Sequence, residues 1–167
     1  VWYWLDPDAG GAMATGVKAV QGAACFFAGS GAMATGWCAD GGAWRYAAPS
    51  GALASGWNAV NGSWYWFDGE TYAMREGWLC DGGSWYWLAE GGDGRMATGW
   101  QMVNGSWYYL DPSGAMITGW LNDGGVWYWL DPDAGGAMAT GVKAVQGAAY
   151  FFGGSGAMAT GWCADGG

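Results

Sequence analysis

Residues 99–120 read Gly99-Trp100-Gln101-Met102-Val103-Asn104-Gly105-Ser106-Trp107-Tyr108-Tyr109-Leu110-Asp111-Pro112-Ser113-Gly114-Ala115-Met116-Ile117-Thr118-Gly119-Trp120, and this stretch decides the fold. Gly99 to Val103 is long enough for one short strand. Asn104-Gly105 is the strongest short-range signal for a two-residue hairpin turn. Ser106 to Leu110 is aromatic-rich and suits the returning strand. Asp111-Pro112-Ser113-Gly114 then ends the ladder, since proline lacks an amide donor and glycine accepts positive φ. At Gly119-Trp120 the pattern begins again.

Outward from this unit the same pattern fills the chain. Repeat origins fall at Val17, Trp37, Trp57, Trp78, Trp100, Trp120, Val142 and Trp162, spaced 20, 20, 21, 22, 20, 22 and 20 residues apart. The variation sits in the linking segments, at Glu70-Thr71, Glu90-Gly91-Gly92-Asp93 and Pro132-Asp133-Ala134-Gly135. A loop absorbs an insertion, whereas a strand would turn its side chains over. A longer period of 125 residues lies above the short one: 1–42 and 126–167 differ only at Cys25/Tyr150 and Ala28/Gly153. The expected organisation is a single array over 1–167. It has a partial hairpin at 1–15, repeats starting near 16, 36, 56, 77, 99, 119 and 141, and a truncated repeat at 161–167. Both ends cut through hairpins, so a fragment of a longer protein is expected.

The expected fold is all-β, a solenoid of stacked β-hairpins. One hairpin is marginal in water and too small to bury its apolar face, so neighbours must supply the burial. A two-residue turn sets Val103 opposite Ser106, Met102 opposite Trp107, Gln101 opposite Tyr108 and Trp100 opposite Tyr109. Alternation places Trp100, Met102, Trp107 and Tyr109 on one face, with Gln101, Val103, Tyr108 and Leu110 on the other. Two aromatic faces cannot both be core in so thin a structure, which leaves one partly open to a ligand.

Composition narrows the function. The 35 glycines and 16 tryptophans in 167 residues suit repeats better than a single compact core. No apolar run reaches the roughly 18 residues that span a bilayer. A net charge of -9 disfavours nucleic acid or an anionic membrane and is compatible with a cationic ligand. The four cysteines form no conserved pairing between the two copies, and without histidine or Cys-x-x-Cys no metal site or cofactor is expected. Histidine is also the commonest general base, and most carboxylates stand in turns, as in Asp6-Pro7-Asp8 and Asp131-Pro132-Asp133, so no enzyme is expected. Asp-Pro-Asp before glycines lacks the nonapeptide period of calcium-binding rolls. The five basic residues, Lys18, Arg45, Arg75, Arg95 and Lys143, form no patch.

The pattern that carries chemistry is a tryptophan pair seven residues apart: Trp37/Trp44, Trp57/Trp64, Trp78/Trp85, Trp100/Trp107 and Trp120/Trp127. The turn brings both members to one face, and the next hairpin offers a further aromatic wall. Met33, Met74, Met96, Met116, Met138 and Met158, each before a new repeat, are placed to close a side. Electron-rich ring faces around an apolar cavity suit a quaternary ammonium ion. Packing between hairpins would explain single aromatics, but leucine or valine would serve packing as well as five repeated tryptophan pairs.

Gly-Trp-x4-Gly-x-Trp-Tyr-Tyr/Trp-Leu/Phe followed by Gly-x-Met-x-Thr-Gly-Trp resembles the choline-binding repeat of bacterial cell-wall-binding proteins, over essentially the whole chain. The resemblance implies a left-handed solenoid on a secreted, surface-attached protein, with choline of teichoic acid held between consecutive hairpins. By it, Trp37/Trp44 would be closed by Tyr65 or Trp66, and Trp57/Trp64 by Tyr86 or Trp87. Trp78/Trp85 would take Tyr108 or Tyr109, Trp100/Trp107 would take Tyr128 or Trp129, and Trp120/Trp127 would take Tyr150 or Phe151. The selected set is Trp66, Trp87, Tyr109 and Trp129 as walls, with Met74, Met96 and Met116 closing. Val17/Ala24 and Val142/Ala149 lack both tryptophans and are read as spacers, or as sites for something else. Arg45 replaces the usual tyrosine and is expected to place a cation near Trp37/Trp44. Related glucan-binding and clostridial-toxin repeats recognise carbohydrate, so a surface glycan is the alternative partner, and a packed structural stalk the alternative role.

Overall fold

The computed structural model describes residues 1–161; the origin Trp162, with Cys163, lies outside them. Antiparallel hairpins pair Gly16–Val20 with Ala23–Phe27, Gly36–Asp40 with Ala43–Ala47, and Gly56–Val60 with Ser63–Phe67. Further along, Gly99–Val103 pairs with Ser106–Leu110, Gly119–Asp123 with Val126–Asp131, and Gly141–Val145 with Ala148–Phe152. Strands Gly77–Asp81 and Ser84–Leu88 lie where the chain passes between two compact units. One unit holds Val1–Leu79 with Leu88–Met96, the other Cys80–Trp87 with the residues from Ala97 onward.

The turns form as their residues dictate. Asn104 and Gly105 both have positive φ, 49° and 84°, with Val103 and Ser106 paired across them. That is the mirror-image two-residue turn whose twist matches the strands. The register is the one expected: Trp100 faces Tyr109, Gln101 faces Tyr108 and Met102 faces Trp107. Every inserted residue lies in a linker. The Pro132–Ala134 segment, for example, forms a single 3-10 turn capped by the Asp131 carboxylate, which accepts from the Asp133 amide.

Each linker acts as a third, very short strand. Met74 bridges to Phe67 and Met116 to Leu110, beside the second strand of their own hairpin. The same linker also reaches back one hairpin. The Met74 amide donates to the Trp44 carbonyl (2.7 Å), and the next amide, of Arg75, donates to Trp66 (2.9 Å). Met96 repeats this to Trp64 in the first unit, and Met116 to Trp85 and Met158 to Trp127 in the second. Within each unit the hairpins therefore stack as coils of a β-solenoid. In each unit the core is formed by residues that end the second strands: Phe27, Phe67 and Leu88 in the first, and Leu110, Leu130 and Phe152 in the second, are at most 2% exposed. Val60, Val103 and Val145, ending first strands, are buried beside them.

Two carboxylates read from sequence as solvated turn residues are instead buried. Asp6 and Asp131 form ion pairs with Lys18 and Lys143, on the following hairpins. The lysine hydrogen bond holds each carboxyl below its ordinary value, against the opposing effect of desolvation. A depressed folded-state value stabilises above the ordinary carboxylate range and is lost as pH falls through it. Lys143→Met should therefore move the acid-unfolding midpoint to higher pH, followed by circular dichroism, with little change for Lys143→Arg. A second test addresses the turn. A Cβ at Gly105 meets no atom within 4 Å, so Gly105→Ala carries only backbone strain. It should cost about 1 kcal/mol in urea unfolding without altering the near-ultraviolet spectrum.

Candidate functional site

Strand alternation sets the tryptophans of a pair on one face, and the type of packing sets their angle. Trp37 and Trp44 lie 6.4 Å apart between ring centroids at 84°, Trp100 and Trp107 6.4 Å at 87°, and Trp120 and Trp127 6.1 Å at 88°. Near-perpendicular rings make two sides of a box rather than a stack. The following hairpin supplies the third side through its central tyrosine. Tyr65 stands 4.9 Å from Trp37, Tyr128 4.9 Å from Trp100, and Tyr150 5.0 Å from Trp120. The fourth side is the methionine of the linker beyond: Met74, Met138 and Met158 in turn.

The resulting cavities measure about 350 Å³ at Trp37/Trp44, 280 Å³ at Trp100/Trp107 and 260 Å³ at Trp120/Trp127. They are open to solvent on the outer tryptophan, since Trp44 is 43% exposed, Trp107 39% and Trp127 44%. The inner tryptophan is more firmly held. Trp100 also packs on Tyr109 (5.2 Å), and its Nε1 donates to the Asp123 carboxylate at 2.9 Å. Such a box presents ring faces and a polarizable sulfur to an apolar, positively charged group.

The selected third walls need correction. Trp129 packs against Trp120 of its own hairpin (5.2 Å, 65°), and the Trp100/Trp107 cavity is lined instead by Tyr128. Tyr109 likewise packs on its own Trp100. The reason is alternation: residues 107, 109, 127 and 129 share the tryptophan face, whereas Tyr128 stands on the opposite face, toward Trp100 of the preceding hairpin. Trp66 pairs with Trp57 in its own hairpin by the same rule, and Trp87 is buried. Trp64 and Trp85, the outer members of the remaining pairs, are 48% and 46% exposed. Trp57 and Trp78 hold the matching first-strand positions of their hairpins. Met74 lines the Trp37/Trp44 cavity, and Met96 and Met116 occupy the same backbone place beside Trp64 and Trp85. Met138 and Met158, outside the set chosen from sequence, line the Trp100/Trp107 and Trp120/Trp127 cavities in the same way.

Arg45 also lies elsewhere than expected. It looks back toward the Val17/Ala24 hairpin, with its guanidinium carbon 5.9 Å from the Phe26 ring and Nε donating to the Thr71 carbonyl at 3.1 Å. In that slot Leu53 stands for the methionine, its amide donating to Ala24, and Tyr72 stands for the linker glycine at φ 59°. Phe26, Ala47 and Leu53 form one apolar cluster, with Ala24, Cys38 and Tyr72 packed on it. The Val17/Ala24 slot is filled by the chain's own side chains. Trp37/Trp44 keeps a tyrosine wall and no arginine.

Residues 97–141 match the model of the choline-binding repeat, and residues 55–70 and 76–96 match that of a cell-wall-binding repeat. The chain carries repeats of the choline-binding, cell-wall-binding family. Among solved structures it is similar to CbpJ from Streptococcus pneumoniae TIGR4, with 35% identity and a TM-score of 0.86 over 93% of this chain and 56% of that one. It is similar also to choline binding protein F of Streptococcus pneumoniae, solved in the presence of a tetrasaccharide-pentapeptide peptidoglycan analogue, at 37% identity and TM-score 0.84 over 93% and 55%. The pneumococcal cell wall endolysin of phage Cp-1, complexed with choline, matches at 33% identity and TM-score 0.55 over 80% and 40%. The chain thus spans a little over half the length of the first two. No curated protein matches.

One glycine tests how the methionine wall is held. Gly156, at φ 79°, lies against Met138, and a Cβ there would collide with the methionine sulfur. Gly156→Ala should cost more than Gly105→Ala, about 2 kcal/mol or more, because overpacking adds to strain. It should also shift the Met138 methyl resonance, which Gly105→Ala leaves in place.

Proposed function

We propose that this chain is a non-catalytic attachment module whose aromatic boxes each hold one quaternary ammonium group of choline type. The observation that carries the reading is the three-sided box of two perpendicular indoles and a tyrosine, closed by a methionine and half open to solvent. Ring quadrupoles attract the charge, and the apolar lining accepts the methyl groups that a small hydrated cation lacks. Perpendicular walls fit a compact, roughly spherical cation better than the flat face of a sugar ring, which would stack on parallel or single platforms. The half-exposed outer tryptophans also speak against a stalk whose aromatics are all packed.

The site residues in this reading are the five pairs Trp37/Trp44, Trp57/Trp64, Trp78/Trp85, Trp100/Trp107 and Trp120/Trp127. Tyr65, Tyr128 and Tyr150 are the walls of the three cavities described, and the linker methionines close them. The partner is choline-decorated teichoic acid on a bacterial cell surface, and the protein carrying the module is secreted. Each box binds weakly; a row of boxes along a repetitive polymer gives avidity without any new contact.

Isothermal titration with choline, tetramethylammonium and glucose oligomers tests this. Choline and tetramethylammonium should bind saturably, and Trp127→Ala should remove one site from the stoichiometry while the folded spectrum is kept. Binding of the glucose oligomers alone would transfer the module to a glycan partner. No binding by any of the three, in a folded sample, would make it a stalk.

A further inference from the structure

The cavities differ on one side, and there the Trp37/Trp44 box is singular among the three described. The linker Glu90-Gly91-Gly92-Asp93 is lengthened, and it folds over this box. Glu76 holds it in place: its carboxylate accepts from the Gly91 amide at 3.1 Å and the Gly92 amide at 2.8 Å. Gly92 thereby comes against the Trp44 indole nitrogen, and Asp93 lines the cavity. At Trp100/Trp107 the corresponding side is Ser155, and the Trp120/Trp127 cavity is lined by aromatics and Met158.

We propose that Asp93 is a specificity-determining residue, a carboxylate at the mouth of the Trp37/Trp44 box that makes this box select charge over shape. The proposal rests on the quaternary ammonium reading above. The Asp93 carboxylate is held in a two-pronged pair with Arg95, Nε to Oδ1 at 2.5 Å and Nη2 to Oδ2 at 2.9 Å. That hydrogen bond keeps the carboxyl below its ordinary value, so it is ionised at neutral pH. Both partners are substantially exposed, with the arginine side chain at 57% and the aspartate at 36%. A bound ammonium therefore competes with Arg95 for one carboxylate, in a partly screened setting where charge pairs are modest. Arg95 weakens the attraction, and its removal should strengthen it. Neutral ligands of the same shape should ignore both residues.

The test uses the full chain labelled with 5-fluorotryptophan, with the Trp44 and Trp127 fluorine resonances assigned by Trp44→Phe and Trp127→Phe. Choline and its neutral isostere 3,3-dimethyl-1-butanol are titrated separately at low salt. Asp93→Asn should raise the choline midpoint at Trp44 about two- to five-fold. Arg95→Gln should lower it by a similar factor, and neither should move the midpoint at Trp127. The isostere midpoint at Trp44 should stay unchanged, and the choline difference should collapse at about 1 M salt, where the screening length is roughly 3 Å. An unchanged choline midpoint in Asp93→Asn, or an equal shift for choline and isostere, would overturn the proposal while the Trp127 response leaves the ammonium reading standing. No response to choline at Trp44 or Trp127 would overturn both.

Discussion

The structure depends on one backbone hydrogen bond repeated along it, from the linker methionine amide to the outer tryptophan carbonyl of the preceding hairpin. Met74 to Trp44, Met96 to Trp64, Met116 to Trp85 and Met158 to Trp127 are all examples. Each of these bonds ties two coils together at the backbone of the outer tryptophan of a pair. The neighbouring amide, donating to the linker's own hairpin, fixes the linker between the two coils. Because these are main-chain bonds, the spacing of the boxes does not depend on side-chain identity. Leu53 and Ala24 keep the same bond where the aromatic lining is gone.

That separation of frame from lining explains how the same repeat carries open and filled slots. At Trp37/Trp44, Trp100/Trp107 and Trp120/Trp127, each faced by a tyrosine of the next hairpin, a cavity remains. Where the pair is Val17 and Ala24, the space is taken by Arg45, Leu53 and Tyr72, with the guanidinium over Phe26. An internal cation over an aromatic ring is there in place of an external one, by the same attraction. The glycines of the linkers belong to this logic, since Gly156 gives Met138 the room that lets it form a wall. Tyr72 occupies the equivalent position only where the opposing side chain is the shorter Leu53.

Much of this is legible in the sequence, and the rest fails for identifiable reasons. Asn104-Gly105 and the period of two give the turn, the register and the two faces directly. Insertions fall in linkers because only linkers tolerate them. The third wall is ambiguous in the sequence: Tyr128 and Trp129 are both aromatic and adjacent, and choosing between them requires knowing which face looks back along the stack. The slot that Arg45 enters is hidden for the same reason. Asp93 stands where Ser30, Ser50, Ser113 and Ser155 stand in other linkers, and its approach to a cavity is hidden in the sequence because Asp93 and Ser155 come from linkers two hairpins beyond the tryptophans they approach. Buried Asp131 resembles every other turn aspartate until Lys143 is seen beside it.

The central claim is that a quaternary ammonium group sits inside the box made by two consecutive hairpins. Intermolecular nuclear Overhauser contacts from the methyl protons of bound choline test it most directly, on the box of Trp120, Trp127, Tyr150 and Met158. The account predicts simultaneous contacts to both indoles, to the Tyr150 ring and to the Met158 methyl. Contacts to a single exposed ring, with Tyr150 and Met158 silent at saturating choline, would contradict it.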